Sequence, residues 1–144
     1  MDKLLQSLDN DNNAQILQLS HSKIKQEKND ILQQLNFTRT VLKDIHTKLE
    51  NYRYIVDADS LCNGSYIRWI NLQKLTTSTN SSNTKILTNG AIICDWKLHD
   101  NGICVVCKTN QGYIIQIKFD ETLIFQKLTE QEQVILSVVD YIHN

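Results

Sequence analysis

Two glycine-bearing turns constrain this chain more than any other feature. Asp100-Asn101-Gly102 and Asn110-Gln111-Gly112 sit between three apolar runs, Ala91–Leu98, Ile103–Lys108 and Tyr113–Phe119, with four residues between each run and the next. Asn-Gly tolerates the positive φ of a two-residue hairpin turn, and a three-residue loop ending in Gly suits a hairpin with a bulge. The segment is therefore expected to form two consecutive antiparallel hairpins. With Asn101-Gly102 as the first turn, Leu98 faces Val105 and Trp96 faces Cys107. The second turn pairs Cys107 with Ile115, Val105 with Ile117 and Ile103 with Phe119. Side chains alternate across a strand, so the expected core is Ile92, Cys94, Trp96, Leu98, Ile103, Val105, Cys107, Ile115, Ile117 and Phe119.

This register tests the stretch CDWKLHDNGICVVC, where three cysteines and a histidine fall within fourteen residues. Cys104 and Cys107 point to opposite faces. A zinc knuckle needs its Cys-x-x-Cys on a tight turn, so that both thiolates reach one ion. A redox Cys-x-x-Cys needs a helix N-terminus to lower a thiol pKa. Neither context is present, and Cys94 and Cys107 read as small core hydrophobes. No metal ligand and no cofactor site is expected. The carboxylates Asp57, Asp59, Asp95, Asp100, Asp120 and Glu121 fall mostly in turns, where Asp serves the backbone, and no catalytic residue is assigned. The sequence holds no phosphate-binding glycine loop and no hydrolase or metalloprotease motif.

Before the hairpins, residues 65–72 (SYIRWINL) read as a strand entered through Asn63-Gly64. A polar Ser/Thr/Asn-rich stretch, 73–84, reads as a loop. Ile86–Leu87 and the turn Thr88-Asn89-Gly90 lead into the hairpins, and Leu123–Leu128 reads as a further short strand. Tyr66, Arg68 and Trp69 lie together on the first strand. Aromatics with one Arg form peptide cages or interface anchors, so these three are the candidate partner-binding residues. Core packing with one surface Arg is the plainer reading.

Residues 14–52 contain neither Gly nor Pro and fit a heptad. Leu17, Ile24, Ile31, Thr38, Ile45 and Tyr52 take d; His21, Lys28, Leu35, Leu42 and Leu49 take a. Five such heptads predict a coiled-coil helix, about 58 Å long at about 1.5 Å per residue. Its oligomerisation residues are Ile24, Ile31, Leu35, Leu42, Ile45 and Leu49. Leu at a with Ile at d favours more than two strands, so a trimer or tetramer is expected, or else a bundle with a helical partner protein. Residues 1–13, acidic and Asn-rich, are expected to be disordered. At the other end Thr129 and Glu132 form a capping box. It opens a helix over 129–144 whose apolar face is Val134, Ile135, Val138, Val139 and Ile142.

Composition sets the outer limits. The 144 residues suffice for one domain with an appendage, expected as a small β-barrel at 53–128. With 15 basic and 16 acidic residues the formal charge is −1, which lacks the basic footprint of a nucleic-acid binder. The first residues show no signal-peptide h-region, and no apolar run is long enough to span a membrane. Four cysteines without a signal point to a reducing compartment. Asn, Ile and Lys supply 43 residues, with 12 Lys against 3 Arg, which reads as an A/T-rich genome.

The run LCNGSYIRWINL, then a polar loop, then LTNGAII and the strand ending FDETLIFQKL resembles small SH3/Tudor-like β-barrel proteins of nucleocytoplasmic large DNA viruses. The resemblance covers residues 61–128. It rests on a Gly-containing entry before a Tyr-Ile-Arg-aromatic strand and an Asn-Gly turn before an apolar strand. Ala91 stands where the pattern would have a second Gly. The resemblance implies a virion or virus-factory protein, such as a minor capsid component, in the virion or host cytoplasm, and carries over no catalytic residue.

The expected fold is thus α+β: a long N-terminal coiled-coil helix, a small antiparallel SH3/Tudor-like barrel and a C-terminal packing helix. The expected function is a non-enzymatic, oligomeric structural or scaffolding role. The alternative is a recognition module that reads a peptide or, less readily, a nucleic acid.

Overall fold

The structure is a computed structural model, described for residues 19–77 and 86–143. The expectations for residues 1–13, for Leu17 and for most of the polar stretch 73–84 lie outside these residues. The chain falls into two compact units: residues up to Arg53 with those from Leu128, and Tyr54–Lys127.

The first unit is helical. α1 spans His21–Gln33 and starts where Ser20 Oγ accepts from Lys23 N at 3.1 Å. It buries Ile24, Lys28 and Leu32, each one turn beyond the last. The long coiled-coil helix is overturned at its end. Leu35 N and Asn36 N donate back to Leu32 O and Gln33 O. Asn36 then takes φ +57°, the left-handed conformation that Asn tolerates at helix C-termini. Thr38 is extended and caps α2 (Arg39–Lys48), its Oγ1 accepting from Val41 N at 3.4 Å. A Thr read as a weak seam position is an N-cap, and the expected single helix is two helices of 13 and 10 residues. Of the heptad residues, Ile24, Ile45 and Leu49 are buried within this chain, whereas Ile31, Leu35 and Leu42 are half-buried. With no continuous seam, the trimer or tetramer loses the helix it rested on.

Lys28 is also buried, and its Nζ donates to Leu49 O at 2.8 Å. Burial, with Lys25 nearby, holds its pKa below the ordinary lysine range. The C-terminal helix, α4 (Glu130–His143), opens with the expected capping box: Thr129 N donates to Glu132 Oε1 and Glu132 N to Thr129 Oγ1, both at 3.0 Å. Its buried face differs from the expected one. Ile135 and Leu136 join Ile24 and Leu128 in a small core, with Val139 and Leu19 against it, while Ile142 is exposed. His21 pairs through Nδ1 with the Asp140 carboxylate, and its backbone N–H donates to Asp140 Oδ1 at 3.3 Å.

The second unit carries the sheet. Its strands are β1 (Tyr52–Tyr54, begun in the first unit), β2 (Tyr66–Asn71), β3 (Ala91–His99), β4 (Gly102–Thr109), β5 (Ile114–Lys118) and β6 (Thr122–Lys127). They form one six-stranded sheet in the order β1-β6-β2-β3-β4-β5. The expected barrel is therefore an open sheet with β1 and β5 at its edges. β1 and the short helix α3 (Leu72–Thr77) were not anticipated. The core joins both halves of the sheet: Ile67, Trp69 and Ile124 pack with Ala91, Ile93, Val105 and Cys107, and with Ile55, Ala58 and Leu61. Buried Gln126 clamps the 3₁₀ turn Ala58–Ser60. Its Oε1 accepts from Cys62 N at 3.0 Å, and its Nε2 donates to Ser60 O at 3.3 Å. A buried amide with both ends bonded incurs little desolvation penalty.

Candidate interaction surface

The two hairpins place the surface residues, and here register decides chemistry. The first turn is Asp100-Asn101, with His99 opposite Gly102, so Leu98 pairs with Ile103 and Trp96 with Val105. Gly102 takes φ +119°, and a Cβ there would lie 2.7 Å from Asp120 Oδ2. A register shift between Ile93 and Asp95 marks a β-bulge at Cys94. A bulge adds one residue to one strand and resets the alternation. N-terminal to it, Ala91 and Ile93 point into the core and Ile92 points out; C-terminal to it, Trp96 and Leu98 share the face of Val105 and Ile103. The expected core placement of Ile92, Cys94, Trp96 and Leu98 is corrected: Ile92 turns outward and Cys94 sits at the bulge, while Trp96 and Leu98 keep the core side but lie where its cover runs out, so all four are exposed. The second hairpin has the expected register, Cys107 with Ile115 and Val105 with Ile117.

This arrangement leaves apolar side chains uncovered on both faces. On the core side, Val105 is fully buried, but its neighbour Trp96 is 37% exposed and Leu98, further along, is 76% exposed. On the outer side, Tyr66, Ile92, Lys108 and Ile114 form one cross-strand row. Ile114 is 61% exposed and Tyr113, at the hairpin end, is 69% exposed. Lys97, Cys104 and Lys118 form a second outer row. Contiguous exposed apolar surface edged by charge is the usual mark of a binding face. Sequence reasoning missed it because an alternating strand gives no sign of where its core side runs out of cover. The bulge had one usable signal: Ala91-Ile92-Ile93-Cys94 has apolar residues at consecutive positions, which a regular half-buried strand does not need.

The cysteines do not converge on a site. Cys107 is buried, and burial, reinforced by Cys94 and Cys104 nearby, pushes its thiol up to about 12. Cys104 lies on the opposite face, as expected, with its Sγ 3.4 Å from Gln116 Oε1. Cys94 is exposed at the bulge and Cys62 is half-buried. Among the described residues no group of three or more His, Cys, Asp or Glu is placed to hold a metal ion. No helix among them is long and apolar enough to cross a membrane.

Tyr66, Arg68 and Trp69 are not brought onto one surface. Trp69 belongs to the core. Tyr66 Oη donates to Asn89 O at 2.7 Å and accepts from Asn110 Nδ2 at 3.2 Å. Arg68 Nε donates to Thr88 O at 2.8 Å, and Trp69 N donates to Thr88 Oγ1 at 3.1 Å. The strand thus fastens the return segment at Leu87–Gly90, where Ile70 bridges to Leu87. Gly90 makes the approach possible: a Cβ there would stand 2.5 Å from Ile67 O and 2.6 Å from Tyr66 Cε1.

Compared with protein families, with curated proteins and with solved structures, the chain matches none.

Proposed function

We propose that this protein is a non-enzymatic interaction module with a scaffolding role, which binds a protein partner through the β3–β5 part of its sheet. One observation carries the reading. Trp96 and Leu98 continue the core-facing side of the sheet beyond the core and stay 37% and 76% exposed there. Aromatic anchors such as a tryptophan supply much of the energy at protein interfaces. The test is a photo-crosslinking amino acid placed at Leu98, and separately at the exposed Asp44 of α2, in the protein expressed in its native cells. Discrete adducts from position 98 and none from position 44 support the reading. Equal labelling from both, or none from position 98, sinks it.

A further inference from the structure

We propose that a second copy of this chain is a partner of the β3–β5 surface, joined edge to edge through β5 in an antiparallel register centred on Gln116. The proposal goes beyond the Trp96–Leu98 reading: it concerns the open backbone edge of β5 in the same part of the sheet.

The argument starts from hydrogen-bond phase. β5 pairs with β4 on one side, and among the described residues nothing pairs with its other side. Thr109 N donates to Tyr113 O at 2.8 Å. Residues opposite one another in an antiparallel ladder alternate between bonded and non-bonded pairs. With 109 and 113 bonded, Cys107 with Ile115 and Val105 with Ile117 are the bonded pairs of β4 and β5. The N–H and C=O groups of Ile114, Gln116 and Lys118 therefore point outward from the sheet. Such an edge is a template for another strand. The Lys118 carbonyl also accepts from Thr122 Oγ1 at 2.9 Å, which marks the end of the template.

A two-fold axis through Gln116, perpendicular to the sheet, matches this edge to itself. Gln116 then meets Gln116 of the second copy and Ile114 meets Lys118, all at positions whose backbone groups point outward. On the core side Ile115 meets Ile117, both half-buried beforehand and both apolar. On the outer side the Lys118 stem covers Ile114, the edge residue and the more exposed of that row's two isoleucines. The charges agree as well. Lys118 is the charged residue of β5, and this register sets the two lysines at opposite ends, whereas a register centred on Lys118 would set them face to face. Centring on 115 or 117 shortens the overlap. Self-complementary contact of this kind is what a two-fold dimer requires. The size of the contact sets its strength: five residues a side fall well below the roughly 20–30 a side of a standard interface, so the dimer is weak and forms with rising concentration.

The test combines sedimentation with residue-resolved amide exchange on the full chain, from micromolar to near-millimolar loading. The expected result is a monomer–dimer equilibrium in which the Ile114, Gln116 and Lys118 amides gain protection with concentration while Ile115 and Ile117 do not change. Gln116→Lys, on an exposed side chain, sets two like charges in contact and should weaken the dimer by more than about tenfold without altering the monomer. A Trp96→Ser/Leu98→Ser variant should dimerise like the wild type. A chain that stays monomeric throughout overturns the proposal, and so does a dimer indifferent to Gln116→Lys. If that dimer is lost instead in the Trp96→Ser/Leu98→Ser variant, edge pairing is wrong and the binding surface stands. If position 98 also gives no adducts in cells, the wider reading fails separately.

Discussion

The β2–β6 half of the sheet and the β3–β5 half are built on the same alternation and used in opposite ways. Along β2 and β6 both faces are covered. Ile67, Trp69 and Ile124 are buried on one, and Ile70, Leu123 and Phe125 on the other, where Tyr54 tilts against Phe125 with ring centroids 5.6 Å apart. Along β3–β5 the core side is buried only near Ile93, Val105 and Cys107, and the outer side lies open. One half holds the unit together and the other is displayed. Strand propensity does not separate them, since both are rich in isoleucine; cover does. Apolar side chains in the first half stabilise the fold, whereas those in the second are free to serve recognition.

The two tryptophans give the largest test of this contrast, since one lies in each half. We predict that Trp69→Ala costs about 3–5 kcal/mol, as expected for a buried aromatic. Trp96→Ala should cost about 1 kcal/mol or less. Urea unfolding of both variants measures the difference, and equal losses would mean that Trp96 belongs to the core after all.

Two glycines refine it. Gly90, fastened under Tyr66, and Gly112, in the β4–β5 turn, have φ of +105° and +90°. A Cβ at Gly90 meets backbone and ring, but one at Gly112 meets nothing within 4 Å. Gly90→Ala is expected to cost about 2–3 kcal/mol and Gly112→Ala about 1 kcal/mol. A more damaging Gly112→Ala would show that the displayed half is more tightly built than its burial indicates.

The last effect appears only at high pH. Cys107 marks how far cover extends into the displayed half, and its folded pKa is about 12 against an ordinary 9.0. Between these values the folded state keeps a proton that the unfolded state releases. The contribution of this thiol to stability is therefore full below pH 9 and is lost as pH rises toward 12, by at most about 1.4 kcal/mol per pH unit. Cys107→Ala should remove that slope, with any cavity cost independent of pH. Parallel wild-type and variant curves above pH 9 would place solvent at Cys107.

Much of this was legible because it is local. The 110–112 turn fixed the β4–β5 register, and Thr129 with Glu132 fixed where the last helix starts. The strands around SYIRWINL, Ala91–Leu98 and Leu123–Leu128 follow from apolar runs bounded by turn residues. What failed depended on competition between local signals. Thr38 and Asn36 have the chemistry of a helix start and a helix stop, yet the surrounding heptad read more strongly than either. In the first hairpin, Asp100-Asn101-Gly102 admits two turn placements that differ in partner and not in face, and the sequence does not choose between them. The surface itself was illegible because exposure of Trp96 and Leu98 depends on how far other strands extend, a property of the assembled sheet. Tyr66 and Arg68 looked like ligand-binding residues, but their polar groups bond to Asn89 and Thr88, twenty or more residues away.

The bulge at Cys94 also bears on how relatives of this chain could be recognised. A strand with one added residue has two phases of alternation, and each half of it aligns with an ordinary strand at a different offset. A relative without the bulge would be one residue shorter between Ile93 and Asp95, and an ungapped alignment across β3 would set core positions against surface positions on one side of the gap. Any profile for this sheet should allow a single-residue gap there. It should treat Ala91–Ile93 and Asp95–His99 as separate blocks.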